Sequence, residues 1–188
     1  MAELLPFQLH RASIFKDQAW ISGEWVEALS GKRFNVIGTV FSSWLSRSSP
    51  QTNATRGTDP GTGKTWASAP DTDTSDAEKA VQAAHKTFVT YSKSSPRARS
   101  QSLLKLSALI QEHKDDLAKI ITYETGKPIS ESIFELDYAI SSVAWFAGEA
   151  ERIQGTVFDS ATPGKKVLTI KQPIGVVAAL VPWNFPIA

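Results

Sequence analysis

Cysteine is absent from the 188 residues, and with it go disulfides, thiolate metal sites and any thiol nucleophile within them. Histidine is scarce. His10, His85 and His113 stand isolated along the chain, so no metal site is expected. No charge of one sign dominates: 20 Lys and Arg oppose 19 Asp and Glu, and the net charge of +1 is scattered, which speaks against a nucleic-acid surface. No apolar run approaches the roughly 20 residues that cross a bilayer. The opening MAELLPFQLHRASIF has neither the apolar stretch nor the small-residue cleavage site of a secretory leader. With 41% hydrophobic and 21% charged residues, the expectation is a soluble, cytoplasmic globular chain with no nucleic-acid or membrane partner.

One glycine is also missing where it would matter. TDPGTGKTW, Thr58 to Trp66, ends like a phosphate-cradling loop of the form G-x-x-x-x-G-K-[ST], with Gly63, Lys64 and Thr65 in place. The first glycine position is Thr58, and Gly57 lies one residue too far upstream. The flanks fail as well. Polar QTNATRG stands where a buried strand is needed, and Pro70 with its Asp/Thr neighbours blocks an immediate helix. Asp59-Pro60-Gly61 and Gly63 instead give a tight turn, with Thr65, Trp66 and Ala67 leading into a strand.

What is present organises well around that turn. Ala19, Ile21, Trp25 and Val26 flank Ser22-Gly23, and a second turn falls at Ser30-Gly31, which predicts a short hairpin or meander. Three helices follow. The first is expected to be capped by Ser75 with Glu78 completing the box, and to carry an apolar face of Ala77, Ala80, Val81, Ala84 and Phe88. The second opens at Ser95-Pro96 and buries Leu103, Leu106, Leu109 and Ile110. It bends near His113 and resumes through Leu117, Ile120 and Ile121 to Gly126. The third opens at Pro128, repeats Ile129, Ile133, Leu136, Ile140, Val143 and Phe146, and is expected to stop at Gly155. Glu131 and Glu135, four apart, are expected on its solvated face. KKVLTIKQP alternates as a half-exposed strand does, and IGVVAALV (174–181) suits a parallel strand buried on both faces. Such a strand without neighbours reads as part of a larger sheet.

The closing PIGVVAALVPWNFPIA resembles the aldehyde dehydrogenase superfamily, as do ETGKPISES, WFAGEAERIQG, VLTIKQPIG, ISGEW and DPGTGK. The wording is most similar to the succinate-semialdehyde branch. The resemblance implies an α/β fold in which hairpins and helices precede the first strand of a Rossmann-like parallel sheet, truncated here. Residues 14–153 would form the amino-terminal part of the cofactor-binding domain, 154–173 the oligomerisation hairpin, and 174–188 the first sheet strand with PWNFP. It implies oxidation of an aldehyde to an acid with NAD or NADP, through a cysteine thiolate and a glutamate-activated water, in a homo-oligomer. Asn184 would then be the oxyanion-hole donor, Leu180, Val181, Pro182 and Trp183 would line the cofactor cleft, and Phe185 and Tyr138 would face the aldehyde tunnel.

Two departures qualify that reading. The family's cysteine, base glutamate, ribose lysine and glycine-rich turn have no counterpart, so the 188 residues by themselves are expected to be inactive and poorly soluble. Residues 37–57 interrupt the family pattern with five serines, three threonines, two arginines and no acid. They read as translated intron sequence, the alternative being a genuine surface-loop insertion. A rival function also stands, in which the chain is a non-catalytic interaction protein that associates with full-length dehydrogenase subunits.

Overall fold

The computed structural model describes residues 5–36 and 65–188. The expected insertion at 37–57 and the turn at 58–64 lie outside the described residues.

The first hairpin forms as its sequence dictates. Strands β1 (Ala19–Ile21) and β2 (Glu24–Val26) pair antiparallel across Ser22-Gly23. Both turn residues adopt left-handed backbone, φ 59° and 87°, which matches the twist of a two-residue hairpin. Trp20 and Trp25 face each other across it with ring centroids 4.8 Å apart. Strand β3 (Arg33–Asn35) pairs antiparallel with β4 (Ser68–Pro70), placing the strand after Thr65–Ala67 as expected. Arg33 ties the two hairpins together, donating to the Glu27 carboxylate at 2.6 Å and to that of Asp17 at 2.8 Å.

Helix α1 (Thr74–Tyr91) begins two residues earlier than a Ser75 cap allows. Asp73 is the cap. Its carboxylate accepts the N–H groups of Ser75 and Asp76 at 2.8 and 3.4 Å, and Asp76 returns the bond to the Asp73 N–H at 3.1 Å. The Ser75/Glu78 expectation is therefore corrected to Asp73/Asp76. A carboxylate's charge at the positive end of the helix makes both bonds stronger than a neutral hydroxyl would. The α1 apolar face is largely uncovered: only Ala80 and Phe88 are half-buried, and Val81 is exposed.

Helix α2 (Pro96–Glu112) opens as expected, with Ser95 Oγ accepting the Ala98 N–H at 3.1 Å. Ile110 is buried and Leu103 half-buried, but Leu106 and Leu109 are exposed, a second correction. Leu109 instead lines an open recess with Arg11, Ser13 and Ile14 of the amino-terminal segment, while α2 packs chiefly on α4. The backbone leaves helical geometry at His113 (φ −105°, ψ 18°), and α3 (Lys114–Thr125) continues to a left-handed Gly126 at φ 76°.

Helix α4 (Ile129–Glu149) buries Ser132, Glu135, Leu136, Ala139 and Ala147, while the expected face members Ile129 and Phe146 lie exposed at its two ends. The core cluster is Ile110, Ala118, Ile121 and Leu136, with Leu117, Ile133, Ile140, Val143 and Ile187 packed on it. The helix stops at Glu149 rather than reaching Gly155. Glu151 and Arg152 donate to the carbonyls three residues back, which tightens the chain out of the helix. Gly155 has a different task. A Cβ there would sit 1.9 Å from the Thr169 carbonyl oxygen, at the start of the hairpin formed by β5 (Val157–Asp159) and β6 (Lys166–Leu168). All six strand residues of that hairpin are exposed.

The stretch 174–181 departs from its expectation. It forms no strand and is not buried, with Ile174 92% and Leu180 99% exposed. A parallel strand is defined by its neighbours, and the described residues supply none. Among those residues no helix is long and apolar enough to cross a membrane.

Candidate functional site

Helices α3 and α4 are separated by only Gly126, Lys127 and Pro128, and each flanking residue has a backbone reason to be there. Gly126 takes the left-handed conformation that ends α3, its N–H bonded to the Thr122 carbonyl at 2.8 Å. Pro128 has φ −57° and opens α4 where an N–H would have no helical partner. Lys127 is held between them with its side chain directed inward, only 14% exposed.

The ammonium of Lys127 meets three groups. Its Nζ lies 2.5 Å from Glu135 Oε2 and 2.9 Å from the Asn184 carbonyl, and 4.7 Å from the centroid of the Phe185 ring. Glu135, two turns into α4 and 1% exposed, spends its other oxygen on the Ile187 N–H at 3.0 Å. The expected solvated face is thus half right. Glu131 is exposed, whereas Glu135 is buried beneath the closing loop and paired with Lys127. Periodicity could not find this, because the partner that covers Glu135 comes from 52 residues downstream. On α3, burial pushes the Glu124 carboxyl above its ordinary range, and the Glu135 charge adds to the shift.

The loop so held carries PWNFP. Phe134 and Tyr138, four residues apart and therefore on one face of α4, form one wall of an open recess of about 740 Å³. Val181, Pro182, Asn184, Phe185 and Pro186 form the other, with Ile187 and Ala188 at its end. Five residues singled out in the sequence are therefore together: Asn184, Val181, Pro182, Phe185 and Tyr138. Leu180 and Trp183 are exposed and do not line the recess. Phe134, Lys127 and Glu135 were not singled out for the site. ETGKP followed by a helical glutamate was the available signal.

Chemically, the recess is a largely apolar wall that includes Asn184, with its amide, and Tyr138, with its phenol. An amide N–H₂ donates hydrogen bonds to developing negative charge, but neither attacks a carbonyl nor shuttles protons at neutral pH. The arrangement suits charge stabilisation. A second recess of about 670 Å³ lies between the β1–β2 turn, Ala80, Ala84 and Phe88 of α1, and Gly175–Val177, lined without any charged side chain.

Comparison with known proteins gives one answer at three levels. The family model described as "Aldehyde dehydrogenase family" matches residues 44–188. Among curated proteins, a glutarate-semialdehyde dehydrogenase of Pseudomonas putida is 37% identical over 181 residues, covering 96% of this chain and 33% of its own length. An Escherichia coli succinate-semialdehyde dehydrogenase (NADP(+)) is 34% identical over 181 residues, with 96% and 33% covered. Among solved structures, succinate-semialdehyde dehydrogenase from Burkholderia pseudomallei superposes with a TM-score of 0.82 at 31% identity, covering 96% of this chain and 33% of that one. The chain spans about a third of the length of the relatives it matches.

Proposed function

This chain belongs to the aldehyde dehydrogenase family, and on that premise we propose that the complete polypeptide carrying it oxidises succinate semialdehyde to succinate with NAD or NADP. The observation that carries the reading is the recess between α4 and the PWNFP loop, with Asn184 at a largely apolar wall. Relatives named for succinate and glutarate semialdehydes, some of them NADP(+)-dependent, favour a short aldehyde bearing a carboxylate.

In this reading Asn184 donates its amide to the oxyanion that forms when the aldehyde carbonyl is attacked. Held by a loop whose backbone is pinned at Asn184 and Ile187, the amide needs little reorganisation as charge develops. Tyr138, Phe134 and Phe185 exclude water from the aldehyde. Leu180, Val181 and Trp183 present uncovered apolar surface of the kind a planar cofactor covers, and with Pro182 they would hold the nicotinamide nucleotide, whose chemistry is to accept hydride. A thiol nucleophile is not among these 188 residues, so by themselves they turn nothing over.

The test is steady-state kinetics of the complete polypeptide with succinate and glutarate semialdehydes. Succinate semialdehyde is expected to give the higher kcat/KM, and Asn184→Ala to lower kcat by about 10²–10³-fold. Equal turnover by the Ala variant would sink the assigned role.

A second reading rests on the β5–β6 hairpin, exposed at every strand residue. In it the chain is non-catalytic and pairs that hairpin with full-length dehydrogenase subunits, which in this family reading form homo-oligomers. Co-purification of the chain with a longer dehydrogenase, lost on adding proline at Val167, would support it.

A further inference from the structure

The Lys127–Glu135 pair is too well connected to the closing loop to be only a helix–helix tie. A buried ion pair returns its desolvation cost only when the remaining donors and acceptors are also satisfied. Here they are satisfied by the loop itself. Two of the three partners of the ammonium, the Asn184 carbonyl and the Phe185 ring, belong to PWNFP. The second oxygen of Glu135 takes the Ile187 N–H. The main chain at Asn184 is thus fixed at that residue and again three residues on, and Asn184 lines the recess.

We propose that Lys127 and Glu135 are positioning residues that fix the Asn184–Ile187 main chain and thereby aim the Asn184 amide into the recess. The proposal rests on the oxyanion role given to Asn184 above for its catalytic consequence, and on geometry alone for its structural one. Lys127 can act this way because it lies between the end of α3 and the start of α4, with the ring of Pro128 fixing the backbone that follows it. Glu135 can because it is rooted in the buried face of α4, next to Leu136.

The test compares Lys127→Met, Glu135→Gln and the double variant Lys127→Met/Glu135→Leu in two measurements. The first is hydrogen exchange of the complete dehydrogenase that carries these residues. The double variant replaces the pair by apolar groups of similar volume, so helix stability is kept or regained while the loop loses its partners. The expected result is exchange about tenfold faster at Ile187, with Leu136 and Ala139 as protected as in the parent. Parent-like protection of Ile187 in the double variant, or equal acceleration in helices and loop, would overturn the proposal.

The second measurement is kinetics of the complete dehydrogenase. The double variant is expected to lower kcat by about 10- to 100-fold with KM little changed, as a displaced catalytic group does. It is also expected to be non-additive with Asn184→Ala. If Asn184→Ala leaves kcat intact while the loop still loses protection, the oxyanion reading fails and the structural positioning stands. If Asn184→Ala is inactive but the double variant is fully active, the positioning role fails and the oxyanion reading stands.

Discussion

Asp116 of α3 accepts the backbone N–H of Arg11 at 2.9 Å across 105 residues of sequence. Its other oxygen takes the His10 N–H at 2.9 Å and faces the His10 ring at 3.1 Å, so one buried carboxylate holds the amino-terminal segment on the helix. Phe7 completes the attachment against Tyr123, ring centroids 4.4 Å apart, and Trp66 at 5.8 Å.

That carboxylate makes docking of the segment sensitive to acid. Burial pushes the Asp116 carboxyl up, but the N–H groups of His10 and Arg11, with the charges of His10 and Lys119, outweigh it and hold the group below its ordinary 3.8. A depressed acid contributes its stability above the unfolded value and loses it as pH falls through the folded one. Asp116→Asn is expected to destabilise the chain by about 1–3 kcal/mol at pH 6. The gap to the parent should narrow as pH drops below about 4. Urea denaturation of both proteins across that range checks it.

Glu124 should show the opposite dependence. Its carboxyl is raised above the ordinary 4.5 by burial and by Glu135, so stability is full below that value and is lost as pH rises through the elevated one. Glu124→Gln is expected to remove this loss and to be the more stable protein at neutral pH, by thermal denaturation at pH 4 and pH 7. A parent that gains stability over the same interval, with no difference from the variant, contradicts the assignment.

The start of α1 gives a clean contrast between neighbouring acids. Asp76 caps the Asp73 N–H and also accepts the Leu29 N–H at 3.0 Å, tying the second turn of the amino-terminal region to the helix. Asp76→Ala is expected to cost about 1–3 kcal/mol, because two backbone N–H groups lose their acceptor. Glu78→Ala, removing the residue that sequence pattern nominated, should fall within about 0.5 kcal/mol of the parent. Equal effects would return the cap to Ser75.

The uncovered apolar stretch predicts how the isolated chain behaves in solution. Val177 and Leu180 are exposed in a segment with no strand partner among the described residues, a surface that invites association. The 188-residue chain is expected to aggregate on size-exclusion chromatography, and Val177→Lys/Leu180→Lys to raise the monomer fraction several-fold. A sharp cooperative melt from a soluble parent monomer would refute this.

The elements legible in the sequence were those whose causes are local. Ser22-Gly23, Ser95-Pro96 and Gly126 each carry their own backbone chemistry, and the structure uses all of them. The errors have non-local causes. Gly155 looked like a helix stop, but its smallness serves the approach of Thr169 from across a hairpin. Leu106 and Leu109 fit the helical period, yet the elements packed on α2, chiefly α4, leave them exposed. Motif wording located Asn184, Phe185 and Tyr138, and the structure does line one recess with them. Glu135 was misplaced because a solvated acid and a buried one look alike until the loop that covers it is known.

The same long reach sets an order of assembly. Asn184 meets Lys127 across 57 residues and Ile187 meets Glu135 across 52. On a growing chain, α3 and α4 are synthesised well before the segment they receive. Contacts within a helix are short in sequence, whereas these must each close more than fifty residues of chain. Lys127 and Glu135 therefore gain their remaining partners only when the loop docks, and a helix pair that fails to close leaves Asn184 with nowhere to dock.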